Sequence, residues 1–224
     1  MKNAKKIKAS LVYNIVIFIL VLIFTILMFF KVQLFDTGSG NTLDKAGFSI
    51  FQFFTVDSNI LLGISSLILA IYEYKAIKNK KSVIPRWVYV LKYAGTSAVA
   101  LTFVITLVWL SPSLGKNFYL LYLNSNFIFH LVAPILAFIS YIKYEKNDLG
   151  FKSTFLCFIP LFIYAIYYVT NLLVHFGSNG VDPKYDIYGF VKGGKESIII
   201  ALIVISIITY ISSYVIYKLN KKNA

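Results

Sequence analysis

One cysteine, two histidines and few charged residues set the first limits on this 224-residue chain. A single thiol, Cys157, excludes an intrachain disulfide and any metal cluster built on cysteines. Charged residues make up only 14% of the chain, against about 25% in an ordinary soluble domain. Acidic residues are the scarcest: 9 Asp and Glu face 22 Lys and Arg, for a formal charge of +13. Such a surplus would suit nucleic acid if it formed one surface. It does not, because the lysines sit in short clusters between apolar runs, where they act as topology signals. Nucleic acid is therefore excluded as a partner. With two histidines and no close-spaced ligand pair, no metal site is expected, and no cofactor either. The length leaves no room for a separate soluble enzymatic domain.

What remains is apolar. Hydrophobic residues are 58% of the sequence and aromatic ones 17%, with a mean hydropathy of +0.75. A membrane crossing needs roughly 20 apolar residues, and six runs meet that need, at about 10–30, 47–74, 87–110, 118–141, 153–176 and 196–217. The expected fold class is all-α: a single polytopic domain of six transmembrane helices in a cell membrane. The first run follows Lys2, Lys5, Lys6 and Lys8 and exceeds a signal-peptide core, so it reads as a retained signal anchor. Placing the N-terminus inside assigns 16 of the 22 basic residues to cytoplasmic segments, with Lys75 to Lys92 read as one of them. Both termini are therefore expected in the cytoplasm. Polar turns are expected around Gly38, Ser39, Gly40 and Asn41, and at Ser111 to Gly115. Helix three, with Gly95, Thr96, Ser97, Ala98, Ala100 and Thr102, suits close helix contact. The heavy use of Lys, Asn and Ile suggests an AT-rich bacterial genome.

Two polar knots interrupt this pattern. Thr55, Asp57, Ser58 and Asn59 lie in the second apolar run; Asn124, Ser125, Asn126 and His130 lie in the fourth. An ionisable group in hydrocarbon is costly and is a functional hypothesis by default. With helix two starting at Gly47, Thr55 lies ~12 Å along it, and with helix four starting at Phe118, His130 lies ~18 Å along that one. The two knots then meet at similar depth across a shared cavity between helices two, four and five. A threonine hydroxyl needs an adjacent base, and histidine is the usual one. Asn126, Asp57 or a polar residue of helix five would orient the base, and Asn59, Ser58 or Asn126 would supply oxyanion donors. Gln52, Thr55, Ser58 and Asn59 share one helical face; Asp57 points about 200° from Thr55 and suits a partner on another helix. Helix five adds Tyr164, Tyr167 or Tyr168, Asn171 and His175 on one face, with His175 at the outer boundary. The similarity of Asp57-Ser58-Asn59-Ile60 to Asn124-Ser125-Asn126-Phe127 is too slight to argue a duplication.

Six spans, Phe53-Phe54-Thr55-Val56-Asp57-Ser58-Asn59-Ile60-Leu61 on helix two, and Phe129-His130-Leu131-Val132-Ala133-Pro134 on helix four together resemble the androgen-induced-protein family. The resemblance is nearest to its bacterial branch. It implies a six-span membrane threonine hydrolase acting on fatty acid esters of hydroxy fatty acids, with Thr55 and His130 carrying catalysis and Pro134 completing a His-x-x-x-Pro pattern. Membrane lipids or fatty-acyl esters would be the partners. The Asp57-Ser58-Asn59 run is more polar than its counterpart in the animal enzymes. Two other expectations compete with it. A non-enzymatic protein would bind or transport a lipid or small solute, using Asp57 and His130 as a proton-coupled pair. An assembly or regulatory protein would pair the knots with each other and leave no cavity.

Overall fold

A computed structural model describes residues 2–35, 45–79, 83–177, 180–182, 184–191, 194 and 196–223. The expected turn at Gly38 to Asn41, and Lys80, Lys81, Lys192 and Lys195, lie outside the described residues. Among the described residues the chain is all-α apart from one short hairpin of two-residue strands, β1 (Phe176–Gly177) with β2 (Gly180–Val181). Among the same residues six helical segments are long and apolar enough to cross a membrane. They are α1 (Lys2–Phe29), α2 (Phe54–Lys78), α3 (Arg86–Ile105, continuing to Tyr122 through wider and tighter turns), α4 (Asn124–Lys143), α5 (Phe158–Val174) and α6 (Glu196–Asn223). Lys6 Nζ donates to the Asn223 carbonyl at 3.1 Å, so both termini lie at one end of the bundle. The other is called the far end below. Exposed side chains such as Val108, Ile163, Ile166 and Val174 cover the outside with hydrocarbon, as a lipid-facing surface requires.

Local chemistry explains the helix limits. α1 runs without glycine or proline and stops where Lys31 takes φ 56°. There Lys31 N–H donates to the Met28 carbonyl and Val32 N–H to the Leu27 carbonyl, the paired bonds of a left-handed C-terminal cap. Before α2, Gly47–Gln52 forms a 3-10 turn and Phe53 is extended, so the helix begins at Phe54 rather than Gly47. Before α4, Gly115–Tyr122 is again 3-10 and Leu123 extended. Both stretches open on a glycine with positive φ, Gly47 at 57° and Gly115 at 52°. α5 is likewise preceded by a 3-10 segment, Phe151–Cys157, and Pro160 falls in its first turn, where no N–H is missed. α1 and α6 outrun their expected limits because their lysine-rich ends stay helical.

Two π-turns, Thr106–Leu110 in α3 and Ile128–Val132 in α4, share one cause. Each is followed, one residue later, by a proline, Pro112 and Pro134 respectively. A proline cannot donate to the preceding turn and its ring crowds the carbonyl four residues back, so the turn widens by one residue. Ser111 N–H accordingly donates to the Thr106 carbonyl and Ala133 N–H to the Ile128 carbonyl.

α2 is the central helix, packed against α1 and α3. Gly95 of α3 permits the close approach: a Cβ there would meet the Leu62 Cα at 3.0 Å and the Ser65 hydroxyl at 2.8 Å. Gly63 faces Val21 of α1 at similar range. Ile17, Leu62, Val99, Phe129, Ala133 and Ala137 fill the centre. The small residues expected to pack on helix three, Gly95, Thr96, Ser97, Ala98, Ala100 and Thr102, are all buried. Tyr93 and Ser97 reach Ser213, tying α3 to α6.

Lys92 corrects one reading. It was counted with the cytoplasmic loop, yet it lies within α3 and is fully buried.

Candidate functional site

The later helix starts move both expected catalytic residues. Thr55 is the second residue of α2, not eight residues in, and His130 is six residues past the start of α4. Both therefore lie in the first turns of helices that begin behind an extended break at the far end. The extended residue Phe53 breaks the chain four residues before Asp57, and hydropathy is blind to it because Gly47–Gln52 is itself largely apolar.

Asn59 joins the two knots. Its side-chain amide donates to the Thr55 carbonyl at 2.8 Å and to the Phe129 carbonyl at 3.1 Å, and Asn59 is fully buried. The Phe129 carbonyl is available because of the π-turn: Ala133 N–H goes to Ile128, and Pro134 has no N–H to offer. One amide thus bridges the backbone under Thr55 and the residue preceding His130.

His130 is buried, and its Nδ1–H donates to the Leu121 carbonyl at 2.9 Å. A carbonyl only accepts, so the proton sits on Nδ1 and Nε2 keeps its lone pair. The Thr55 hydroxyl is half-buried and makes no hydrogen bond among the described residues, whereas Thr102 and Thr209 return theirs to their own helices. That alone does not distinguish it, since Thr25, Thr96 and Thr106 also hold unpartnered hydroxyls. Its position does. On the α2 wheel Thr55 lies between Ser58, roughly 60° to one side, and Asn59, roughly 40° to the other. Ser58 lines a cavity; Asn59 faces α4.

The cavity has a volume of about 550 Å³. Phe48, Phe51, Gln52, Phe54, Asp57, Ser58 and Leu61 form one wall, and Pro160, Ile163, Tyr164 and Tyr167 of α5 the other. It was expected between helices two, four and five. It lies between the α2 entry and α5, and no α4 residue lines it, because α4 packs against α1 and closes that side. Neither Thr55 nor His130 is on its wall. Asp57, expected to pair with another helix, instead faces the cavity beside Ser58, with no hydrogen bond or ion pair among the described residues. Phe48, Ile163 and Tyr167 are exposed on the lipid-facing surface, so the cavity opens sideways.

The far end is covered. Tyr188, in the segment after β2, is partly buried beside Ile187 against the core, and Phe54 N–H donates to its hydroxyl at 2.9 Å. That bond caps an N–H the helix itself leaves unpaired. Burial pushes the Tyr188 hydroxyl up to about 12. Asp186 holds the segment in place, accepting from the Tyr168 hydroxyl and from Phe190 and Val191 N–H. Tyr164 donates to the Gln52 carbonyl at 2.6 Å and fixes the break before α2.

The other expected site residues are placed apart. Asn124, at φ 53°, clamps the chain after α1 by accepting from Leu34 and Phe35 N–H. Ser125 donates to Phe24 of α1. Asn126 lies on the first turn of α4, and no side-chain hydrogen bond is made by it among the described residues. Asn171 lies on α5, where its carbonyl accepts from His175 Nδ1–H at 2.8 Å; the His175 ring stacks on Tyr185 with centroids 3.5 Å apart. These two stand with the covering segment, not with Thr55. Among the described residues no three His, Cys, Asp or Glu side chains gather as metal ligands.

Sequence reasoning missed a second polar cluster, at the end carrying the termini: Asn14, Glu73, Lys92 and Glu145. Asn14 and Lys92 are lone polar residues in apolar runs and could have been found by that signal, whereas Glu73 lies near a basic helix end and Glu145 sits among Lys143, Lys146 and Asn147, as an ordinary loop residue would.

Comparison of the chain with protein-family models, curated proteins and solved structures finds no match.

Proposed function

We propose that the chain hydrolyses acyl esters from within the bilayer, with Thr55 as nucleophile and His130 as general base. One observation carries the reading. Thr55 lies between the cavity wall at Ser58 and the Asn59 bridge to α4, while His130 commits Nδ1 to Leu121 and keeps Nε2 as a base. In the reaction Thr55 Oγ attacks the ester carbonyl carbon and its proton passes to His130 Nε2. The alcohol leaves with that proton, forming an acyl-threonine. Water, deprotonated by Nε2, then releases the carboxylic acid and restores the hydroxyl. The side opening between Phe48 and Ile163 suits a substrate that diffuses in the membrane plane, and the aromatic walls suit an acyl chain. The basic residues of the terminal segments favour termini in the cytoplasm, with the ester site in the outer half of a cell membrane.

The test is labelling of purified protein in detergent by a fluorophosphonate that captures activated hydroxyls. Loss of labelling in Thr55→Ala and in His130→Ala, with partial retention in Thr55→Ser, supports the hydrolase. Equal labelling of wild type and Thr55→Ala refutes it.

A second reading rests on Asp57. The cavity wall carries Asp57 and Ser58 but neither catalytic candidate, and α2 and α4 both start behind a break, as binding helices of transporters do. In that case the protein binds or moves a lipid or small solute without cleaving it. Asp57→Asn would then abolish binding of a lipid probe that Thr55→Ala leaves intact.

A further inference from the structure

At the end of the bundle that carries both termini, roughly 27 Å along α2 from Thr55, three ionisable side chains share one buried site. Lys92 of α3 donates to Ser66 of α2 at 2.7 Å and lies 3.8 Å from Glu145 Oε1. Ser140 of α4 donates to the same oxygen at 2.6 Å. Asn14 of α1 points its amide at Ser10, at Glu73 Oε2 and at Glu145 Oε1, the last two both at 3.4 Å. Asn220 of α6 closes the cluster from below by donating to the Tyr141 and Glu145 carbonyls. Asn14 and Lys92 are fully buried, and Glu73 and Glu145 are 2% exposed. Tyr89 and Tyr141 are the other titratable groups close enough to feel these charges.

The charges do not balance. Two carboxylates and one ammonium leave one net negative charge on buried side chains, a cost of several kcal/mol per uncompensated ion. The hydrogen bonds are unbalanced in the same sense. Among the described residues the buried atoms of the cluster with no partner are Glu145 Oε2 and Asn14 Oδ1, and both are acceptors. A site short of one positive charge and short of donors is short of a proton. The two carboxylates already converge on a single amide, so one proton there removes the repulsion between them.

We infer that this cluster is a binding site for one exchangeable proton, shared by the Glu73 and Glu145 carboxyls and held against Lys92. The site joins α1, α2, α3 and the segment after α4, so occupancy by the proton tightens four elements at once. Burial raises the Glu145 carboxyl above the ordinary carboxylate range, and Lys92 opposes this only in part.

The sign follows by linkage. A carboxyl whose proton affinity is raised by folding stabilises the protein at low pH, and that stability is lost as pH rises through the raised value. Thermal unfolding of the full chain in detergent, read between pH ~5 and ~9 at constant ionic strength, tests it. Wild type loses melting temperature as pH rises. Glu73→Gln and Glu145→Gln each leave the cluster neutral without a proton, so either flattens the profile and raises the high-pH melting temperature. Infrared spectra of wild type at neutral pH show a protonated carboxylic acid band that Glu73→Gln or Glu145→Gln removes. A wild-type profile as flat as the variants', or no such band, overturns the inference. Recovery of high-pH stability by sodium in place of choline also overturns it, because the missing charge is then a metal cation.

Discussion

Replacing Asn59 by leucine tests the link between the two polar knots. The side chains match in size, so the change removes the amide and little else. Two carbonyls lose a donor. The Thr55 carbonyl keeps the Ser58 hydroxyl at 3.0 Å. The Phe129 carbonyl keeps nothing, because Ala133 N–H is committed to Ile128 and Pro134 has none. An unsatisfied buried carbonyl costs about 1–3 kcal/mol. Against this, Asn59 Oδ1 is itself buried without a partner, and its removal returns about 1 kcal/mol. The net loss is about 1 kcal/mol, within the range of hydrogen bonds between membrane helices. Pro134→Ala then decides the mechanism. An alanine there restores a backbone N–H, lets the π-turn close and supplies the Phe129 carbonyl from its own helix. In that background Asn59→Leu strands no carbonyl and keeps only the gain of about 1 kcal/mol, so the double-mutant coupling is about 2 kcal/mol. Reversible unfolding in mixed detergent micelles, followed by circular dichroism, measures all four proteins. Additive penalties, equal within about 0.3–0.5 kcal/mol, would refute the account of the π-turn.

Gly95→Ala drives a methyl to 3.0 Å from the Leu62 Cα and separates α2 from α3; a loss of about 1–3 kcal/mol is expected in the same unfolding assay. Lys92→Met leaves two buried carboxylates without their cation and costs about 3–5 kcal/mol, whereas Lys92→Met combined with Glu145→Gln recovers most of it. Asp186→Ala removes the acceptor for Tyr168, Phe190 and Val191. Limited proteolysis should then cut the segment after β2 about tenfold faster, for a local loss of about 1.4 kcal/mol.

Hydropathy reveals the number and order of the spans because lipid demands long apolar runs and little else has them. It misplaces helix starts for the same reason. Phe48 and Phe51, in the 3-10 turn before α2, are as apolar as Phe54 within it, and only backbone geometry separates them. The paired positive-φ glycines, Gly47 and Gly115, were the available sign of a repeated entry geometry. Lys92 was misread because lysine is ordinarily a loop signal in membrane proteins. Its distance from Arg86, six residues into an apolar run, was the clue. The knots around Thr55 and His130 were visible as polar residues at an apolar depth. Their bridge was not, since it depends on a carbonyl released by Pro134 in another helix, which no local pattern encodes.

The same packing constrains how any ligand could reach Thr55. α2 cannot move away from α3 without losing the Gly95 contact, and α4 is held to it by Asn59. The far end is sealed by Tyr188, which also caps the first turn of α2. Three sides are therefore fixed by packing or by hydrogen bonds whose loss would leave buried polar groups unpaired. The fourth is α5, joined near Thr55 by tyrosine hydroxyls and ring contacts, with Ile163 and Tyr167 toward lipid. A ligand that enters there passes Asp57 and Ser58 before it can meet Thr55. Widening this entrance by Ile163→Ala should speed labelling by a long-chain fluorophosphonate more than by a short one. Equal acceleration of both probes would mean that they enter from the aqueous end past Tyr188.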